Sequence, residues 1–332
     1  MLDKLTQAFG PSGYEREVRE LIKAEVKDYA DDISTDALGN LIVFKRGTGA
    51  EKKSIMMAAH MDEIGFQVTK ILDSGMIKFR GLGFLWVPTT YMNRVRFRNG
   101  ITGIVTSTVK QDEIKSDMTN LCIDIGAKSK EDAMKYVKVG DIACYIGAFA
   151  ELQNGNVTAK AIDNRVGCHM LIETLKRTEA PRNDLYFVFT VQEELGCRGA
   201  IVSAERIKPD IGIAVDITPA HDYPCDLEGS NAIGAGVGIK VADPSVICDE
   251  YLVNEMVRCC EENNIKYQYD VIYVGGTDAG SINRAVYGIR SAGVTIITRY
   301  PHGPNALINM DDVEASIQLL SNYVNRSFKF ED

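Results

Sequence analysis

Tryptophan occurs once, at Trp86, histidine occurs four times, and none of the eight cysteines forms a CxxC pair. A single tryptophan leaves the chain short of the aromatic platform expected of a polysaccharide-binding cleft. Without CxxC spacing, neither a thiolate zinc site nor a thioredoxin-like motif is supported. Cys122, Cys144, Cys168, Cys197, Cys225, Cys248, Cys259 and Cys260 are therefore expected to act as small buried hydrophobes in a reducing compartment. No apolar run is long enough to cross a bilayer. The opening Met1-Leu2-Asp3-Lys4-Leu5-Thr6 lacks the basic and then apolar pattern of a signal peptide, so a cytoplasmic protein is expected. Positive charge is outnumbered, with 37 Lys and Arg against 46 Asp and Glu. The formal net charge of −9 disfavours nucleic acid as a partner and a polybasic membrane anchor.

What is present suits an ordinary globular chain of 332 residues, long enough to bury a core without staples. Ser12 and Glu15 fit a capping box, and Val18, Leu21, Ile22 and Val26 follow at helical spacing. Leu41–Phe44 and Ile55–Ala59 read as strands. From about Ile64 to Val157 the texture changes to short alternating segments punctuated by Gly and Asn, with Ser129–Val137 the one helical stretch. This predicts a small antiparallel β domain. Beyond Asp163, apolar runs at Leu185–Val191 and Ile211–Val215 alternate with helical patterns, as buried parallel strands do. The expected fold is α/β, a mostly parallel sheet with flanking helices. Residues 1–65 and 160–332 would form a discontinuous catalytic domain, and residues 66–159 an inserted β domain.

Three apolar strands run into chemistry-bearing residues: one into His60-Met61-Asp62, one into Gln192-Glu193-Glu194 and one into Asp216. Ligands of open α/β sheets bind outside the carboxyl ends of the strands, so these residues should meet at one rim. His60 and Asp62 are two apart and share a side of an extended chain, which suits a metal-bound imidazole oriented by a carboxylate. Glu193 and Glu194, if both are buried, repel one another unless a cation intervenes. One can then ligate while the other stays free as a general base. Asp163 precedes a helix and fits either a bridging carboxylate or a plain N-cap. His302, in Tyr300-Pro301-His302-Gly303-Pro304, fits either a preset ligand or a simple turn. His169 reads as structural, and His221 as exposed or as a residue behind the site. Oxygen and imidazole donors suit Zn²⁺, Co²⁺ or Mn²⁺.

The strings Ala59-His60-Met61-Asp62-Glu63-Ile64-Gly65, Ala161-Ile162-Asp163-Asn164-Arg165-Val166-Gly167, Gln192-Glu193-Glu194-Leu195-Gly196-Cys197-Arg198-Gly199-Ala200 and Gly275-Gly276-Thr277-Asp278-Ala279-Gly280 resemble the M42 family of metallo-aminopeptidases. The resemblance extends to Gly10-Pro11-Ser12-Gly13-Tyr14-Glu15 and Asp36-Ala37-Leu38-Gly39-Asn40. It implies two divalent metal ions per subunit, Zn²⁺ or Co²⁺ foremost. His60 and Asp216 would hold one, Glu194 and His302 the other, and Asp163 would bridge them. Glu193 would be the base, with Asp62 assisting. It further implies a zinc-peptidase-like catalytic domain, dimerisation through the inserted domain, tetrahedral dodecamers and short peptide substrates. Similar enzymes carry the label endoglucanase M. One departure is His302-Gly303-Pro304-Asn305, where the family commonly has His-Ser-Pro, a change that bears on substrate preference. The rival readings are a glycosidase working through Glu193 and Glu194 and a non-catalytic, metal-stabilised assembly protein. The first leaves His60, Asp163, Asp216 and His302 without a role, and the second leaves Glu193 without one.

Overall fold

The computed structural model describes residues 1–225 and 227–330. Among these, a nine-stranded sheet runs in the order Asp32–Thr35, Leu41–Lys45, Asp184–Thr190, Ser54–His60, Ile211–Pro219, Arg290–Thr298, Val237–Asp243 and Val246–Ile247. Tyr267–Val271 pairs alongside Val237–Asp243. The four central strands, Asp184–Thr190 through Arg290–Thr298, are parallel. Leu41–Lys45 on one side and Val237–Asp243 on the other join them antiparallel.

Side-chain alternation along the central strands explains their continuous apolar character. In Ser54–His60, Ile55, Met57 and Ala59 enter the main core, whereas Met56 and Ala58 enter a second core on the opposite face. Phe187 and Phe189 part from Val188 in the same way. A strand covered on both faces has no position to spare for a polar residue. The main core is completed by helices Arg16–Val26, Ile162–Arg177, Glu250–Glu262 and Met310–Tyr323, the second by Arg198–Ile207 and Asp278–Arg284. The result is a three-layer α/β/α unit.

Between Ser54–His60 and Ile162–Arg177 the chain forms a closed antiparallel barrel in the order Gly65–Ile71, Ile77–Leu82, Leu121–Asp124, Thr102–Ser107, Arg94–Phe97 and Ile142–Tyr145. Its own core is separate, built on Phe66, Val95, Phe97, Val105, Ile123 and Tyr145. The Phe66 ring meets Phe79 and Tyr145 edge-on, with centroids 5.0 and 4.9 Å away. Closure leaves no free strand edge. Leaving the barrel, Asn156–Ala159 pairs antiparallel with Ala306–Asn309, which ties the return segment to the stretch just after His302.

Three local expectations are corrected. Ser12 and Glu15 do not cap the Arg16–Val26 helix; no side chain does so at its N-cap. Both turn toward the sheet rim instead: Ser12 Oγ donates to Asp62 and Glu15 accepts from the amides of Gly13 and Gln192. The helical stretch at Ser129–Val137 is a single turn, Lys130–Ala133, capped by the Ser129 hydroxyl. The strand carrying Asp216 does not stop there but continues to Pro219. What ends near Asp216 is the pairing with Ser54–His60, whose last partners are Ala214 and Ala58. Asp216 lies two residues beyond that last pair, still paired with Thr295 on its other side, and is buried.

Candidate metal centre

The rim of the parallel sheet brings all seven sequence-predicted site residues together. His60 closes its strand with Nε2 lying 3.1 Å from Asp163 Oδ1, 3.6 Å from Asp216 Oδ1 and 3.8 Å from Glu193 Oε2. His302 Nε2 lies 3.3 Å from Asp163 Oδ2 and 3.9 Å from Glu194 Oε2. The two oxygens of Asp163 thus face different histidines. Two sets of donor atoms result, His60–Asp163–Asp216 and Asp163–Glu194–His302, each with its atoms within 4.8 Å of one another.

Both histidines are oriented through Nδ1. His60 Nδ1 lies 3.1 Å from the Asp62 carbonyl and His302 Nδ1 2.9 Å from the Phe84 carbonyl. A carbonyl only accepts, so Nδ1 carries the hydrogen and Nε2 is directed at the carboxylates. This is the arrangement of a metal-binding imidazole, with its outer nitrogen held by an acceptor. The donor set therefore fits a pair of divalent cations. Six carboxylates, those of Asp62, Asp163, Glu193, Glu194, Asp216 and Asp278, crowd two imidazoles at this rim.

Asp62 has a more specific task than the sequence implied. It is fully buried, and its carboxylate accepts from Ser12 Oγ at 2.6 Å, Glu193 N at 3.0 Å and Glu194 N at 3.2 Å. It holds the turn that presents both glutamates, and its contact with the His60 ring is longer, at 3.5 Å. The sequence did not mark out Glu15, Ser12, Cys197 or Asp278 as site residues. Ser12 and Glu15 were hidden because their spacing imitates a helix cap, and Asp278 because it opens the short helix Asp278–Arg284.

Backbone strain gathers here. Ala161, Gln192, Cys197, Tyr300 and His302 all have φ between 52° and 55°, a region costly for residues with a Cβ. Asp163 and Asn164 depart from helical geometry at the head of Ile162–Arg177. Asn164 secures that departure by donating to Val215 O and accepting from Gly167 N. From the barrel side, Gly83 (φ 82°) approaches so closely that a Cβ would lie 2.7 Å from Glu194 Oε2.

Without cations the electrostatics are unfavourable to so many charges. Burial pushes Glu193 well up, Asp216 and Glu194 reinforcing it, and raises Glu194 to about 8. Burial likewise lifts Asp278 and Glu15, each to about 7. Burial opposes the charging of His302, yet Glu194 and Asp163 override it and raise the imidazole to about 10. Each of these groups holds its proton more tightly folded than unfolded, so each contributes stability at low pH that is lost as pH rises through the folded value. For Glu194, Asp278 and Glu15 that loss spans roughly pH 4 to 8, Glu193 has the same sign, and His302 follows it up to about pH 10. The metal-stripped protein is expected to melt at higher temperature at pH 5.5 than at pH 8. Added Zn²⁺ or Co²⁺ should raise the melting temperature more at pH 8, where fewer protons compete for the donors. Scanning fluorimetry of stripped and reloaded protein measures both; a stripped protein that melts higher at pH 8 contradicts the charge distribution described.

The chain is similar to known proteins over most of its length. The family model for the M42 glutamyl aminopeptidases matches residues 39–319. A relative from Acetivibrio thermocellus is 43% identical over 321 residues, 96% of each chain. Among solved structures, an aminopeptidase from the archaeon Desulfurococcus kamchatkensis superposes with a TM-score of 0.93 at 33% identity, covering 98% of this chain and 94% of its own. The TET1 peptidase of Pyrococcus horikoshii, described as able to assemble into a tetrahedron or a large octahedral shell, gives 0.85 at 33% identity over 97% and 98%. With the match spanning most of its length and the sheet rim carrying the expected side chains, the chain belongs to the M42 family of aminopeptidases.

Proposed function

We propose that this chain is a metal-dependent aminopeptidase that removes N-terminal residues from short peptides, with Glu193 as general base. The observation that carries the reading is Asp163, one carboxylate set between two oriented histidines, with Glu193 beside it and outside both donor sets. His60 and Asp216 would hold one cation, Glu194 and His302 the other, and Asp163 would be shared. The pair, Zn²⁺, Co²⁺ or Mn²⁺ by donor chemistry, supplies Lewis acidity toward water and the scissile carbonyl.

Glu193 is buried on one side and acid-crowded, so its carboxylate has an unusually strong hold on a proton. That suits a group that accepts a proton from the attacking water and passes it to the departing amine. Asp62 fixes where Glu193 stands through the backbone hydrogen bonds of the turn. The surplus of carboxylates favours substrates that bring a positive charge, which a free α-ammonium provides.

We further infer that residues 1–65 and 160–332 form the catalytic unit and that residues 66–159 serve self-association, as dimers and then as a dodecamer. Phe84, Trp86, Met92 and Val139, all more than half exposed on this segment, support such a contact.

A panel of aminoacyl-arylamides and short peptides tests the activity, with Zn²⁺, Co²⁺ and Mn²⁺ supplied in turn. Residues should be released one at a time from the amino end, N-acetylated peptides should resist, and a chelator should abolish turnover until metal is restored. Hydrolysis of polysaccharide that survives the chelator would favour a glycosidase instead, and metal-loaded protein inert toward every peptide would favour a binding or assembly role.

A further inference from the structure

Beside the two donor sets that share Asp163 lies a third, which uses none of their residues. Glu193, Cys197 and Asp278 place one donor atom each within 4.8 Å of the others. Cys197 Sγ is 3.3 Å from Glu193 Oε1. Both come from one tight segment, in which the Cys197 amide donates to the Glu193 carbonyl at 2.8 Å. Asp278 comes from elsewhere, at the start of Asp278–Arg284, and is 2% exposed. Its Oδ2 accepts from Thr190 Oγ1 at 2.6 Å, which anchors the carboxylate to the end of the Asp184–Thr190 strand. Its Oδ1 is buried with no hydrogen-bond partner among the described residues. A buried carboxylate oxygen without a donor is costly, and the Cys197 thiol does not relieve it, because it donates to Glu193 Oε1 instead.

We propose that Glu193, Cys197 and Asp278 form a third, inhibitory cation site, which takes a thiophilic divalent ion such as Zn²⁺ and withdraws Glu193 from its work as a base. The inhibitory part rests on the base role proposed for Glu193; the binding part does not. An ion here could satisfy the unpartnered Asp278 oxygen, and it screens the repulsion between the two carboxylates. Three protein ligands from two segments leave a fourth position open, as tetrahedral Zn²⁺ accepts. The sulfur sets its selectivity. The two sets around Asp163 offer oxygen and imidazole nitrogen alone, whereas this one adds a soft donor, which favours Zn²⁺ or Co²⁺ over Mn²⁺ or Mg²⁺. Cys197 must release its thiol proton to solvent when it ligates, together with any proton then held by Glu193 or Asp278, so this site fills after the histidine-bearing pair. The carboxylate oxygen of Glu193 engaged by the ion is then no longer free to accept a proton.

Stepwise addition of Co²⁺ to the metal-stripped protein tests this, read by equilibrium dialysis, by absorbance and by peptide hydrolysis in parallel. Three ions should bind. A thiolate-to-cobalt charge-transfer band in the near ultraviolet should appear only with the third, and Zn²⁺ should quench it. Hydrolysis should rise to two equivalents and fall on filling the third, by ~10-fold or more if the base is lost. In Cys197→Ser, two ions should bind without the band, and the ratio of its rate at excess Co²⁺ to its own rate at two equivalents should stay near unity. A wild-type stoichiometry of two, a band that arises with the first two ions, or a third ion retained by Cys197→Ser overturns the site. A third ion with its band and no fall in rate supports the site and removes Glu193 from the role of base.

Discussion

Glu193→Gln is expected to keep both cations and to lose about 10²- to 10⁴-fold in kcat, the range a positioned general base contributes. The substitution is close to isosteric, and Glu193 belongs to neither donor set around Asp163. The Glu193 amide would still donate to Asp62 Oδ1, so the turn that presents Glu194 should not move. An amide in place of the carboxylate cannot accept a proton, whereas it still fills the space. KM should change little, because the loss falls on the transition state rather than on binding. Metal content by elemental analysis, set beside kcat and KM on one peptide, separates this from general damage. Near-normal turnover with both ions in place would mean that another group carries the proton.

The second large effect is on stability. Arg165→Met is expected to cost ~3–5 kcal/mol, the range for breaking a buried charge network by removing one partner. Arg165 is fully buried next in sequence but one to Asp163. Its guanidinium donates to the carbonyls of Met61, Leu5, Ala8 and Gly10 and to Glu63. Lys160 Nζ holds the other side of Glu63, 2.8 Å from both oxygens. Methionine matches the apolar length of the chain but takes the guanidinium donors from the Met61 and Leu5 carbonyls, whereas Ala8 keeps Lys160 Nζ and Gly10 keeps the Glu63 amide. Because Met61 follows His60, the damage should spread to metal affinity as well. Chemical denaturation of the metal-loaded variant measures the first effect and dialysis the second. A variant within 1 kcal/mol of wild type would show that water or Lys160 takes over the donors.

Much of this was legible in the residues. The central strands announced themselves because both faces are covered, so apolar runs such as Phe187-Val188-Phe189 admit no polar interruption. The barrel was legible from its short alternating segments, although its closure was not, since strand order depends on pairing across distant segments such as Phe66 with Ala143. At the site, His60, Glu193 and Glu194 stood out at strand ends. Asp163 and His302 did not, because an acid ahead of a helix and a histidine between prolines have commoner explanations. Their part rests on family likeness and on a geometry that only the folded chain displays. Ser12 and Glu15 misled for a physical reason: the same hydroxyl and carboxylate that would cap a helix serve equally well to hold Asp62 and Gln192. Asp278 and Cys197 gave no periodic signal, since their meaning lies in burial and in a missing partner.

The order of strands in the sheet also has a consequence for how the protein is made. Ser54–His60 lies between Asp184–Thr190 and Ile211–Pro219, and His302 follows a strand that pairs with the latter. A ribosome releases these pieces in sequence order, so an emerging chain holds His60 long before its neighbours exist. The centre of the sheet cannot close, and the two histidines cannot face Asp163, until nearly the whole polypeptide is out. Assembly of the rim is therefore among the last events of synthesis, after the segment that carries His302 has emerged.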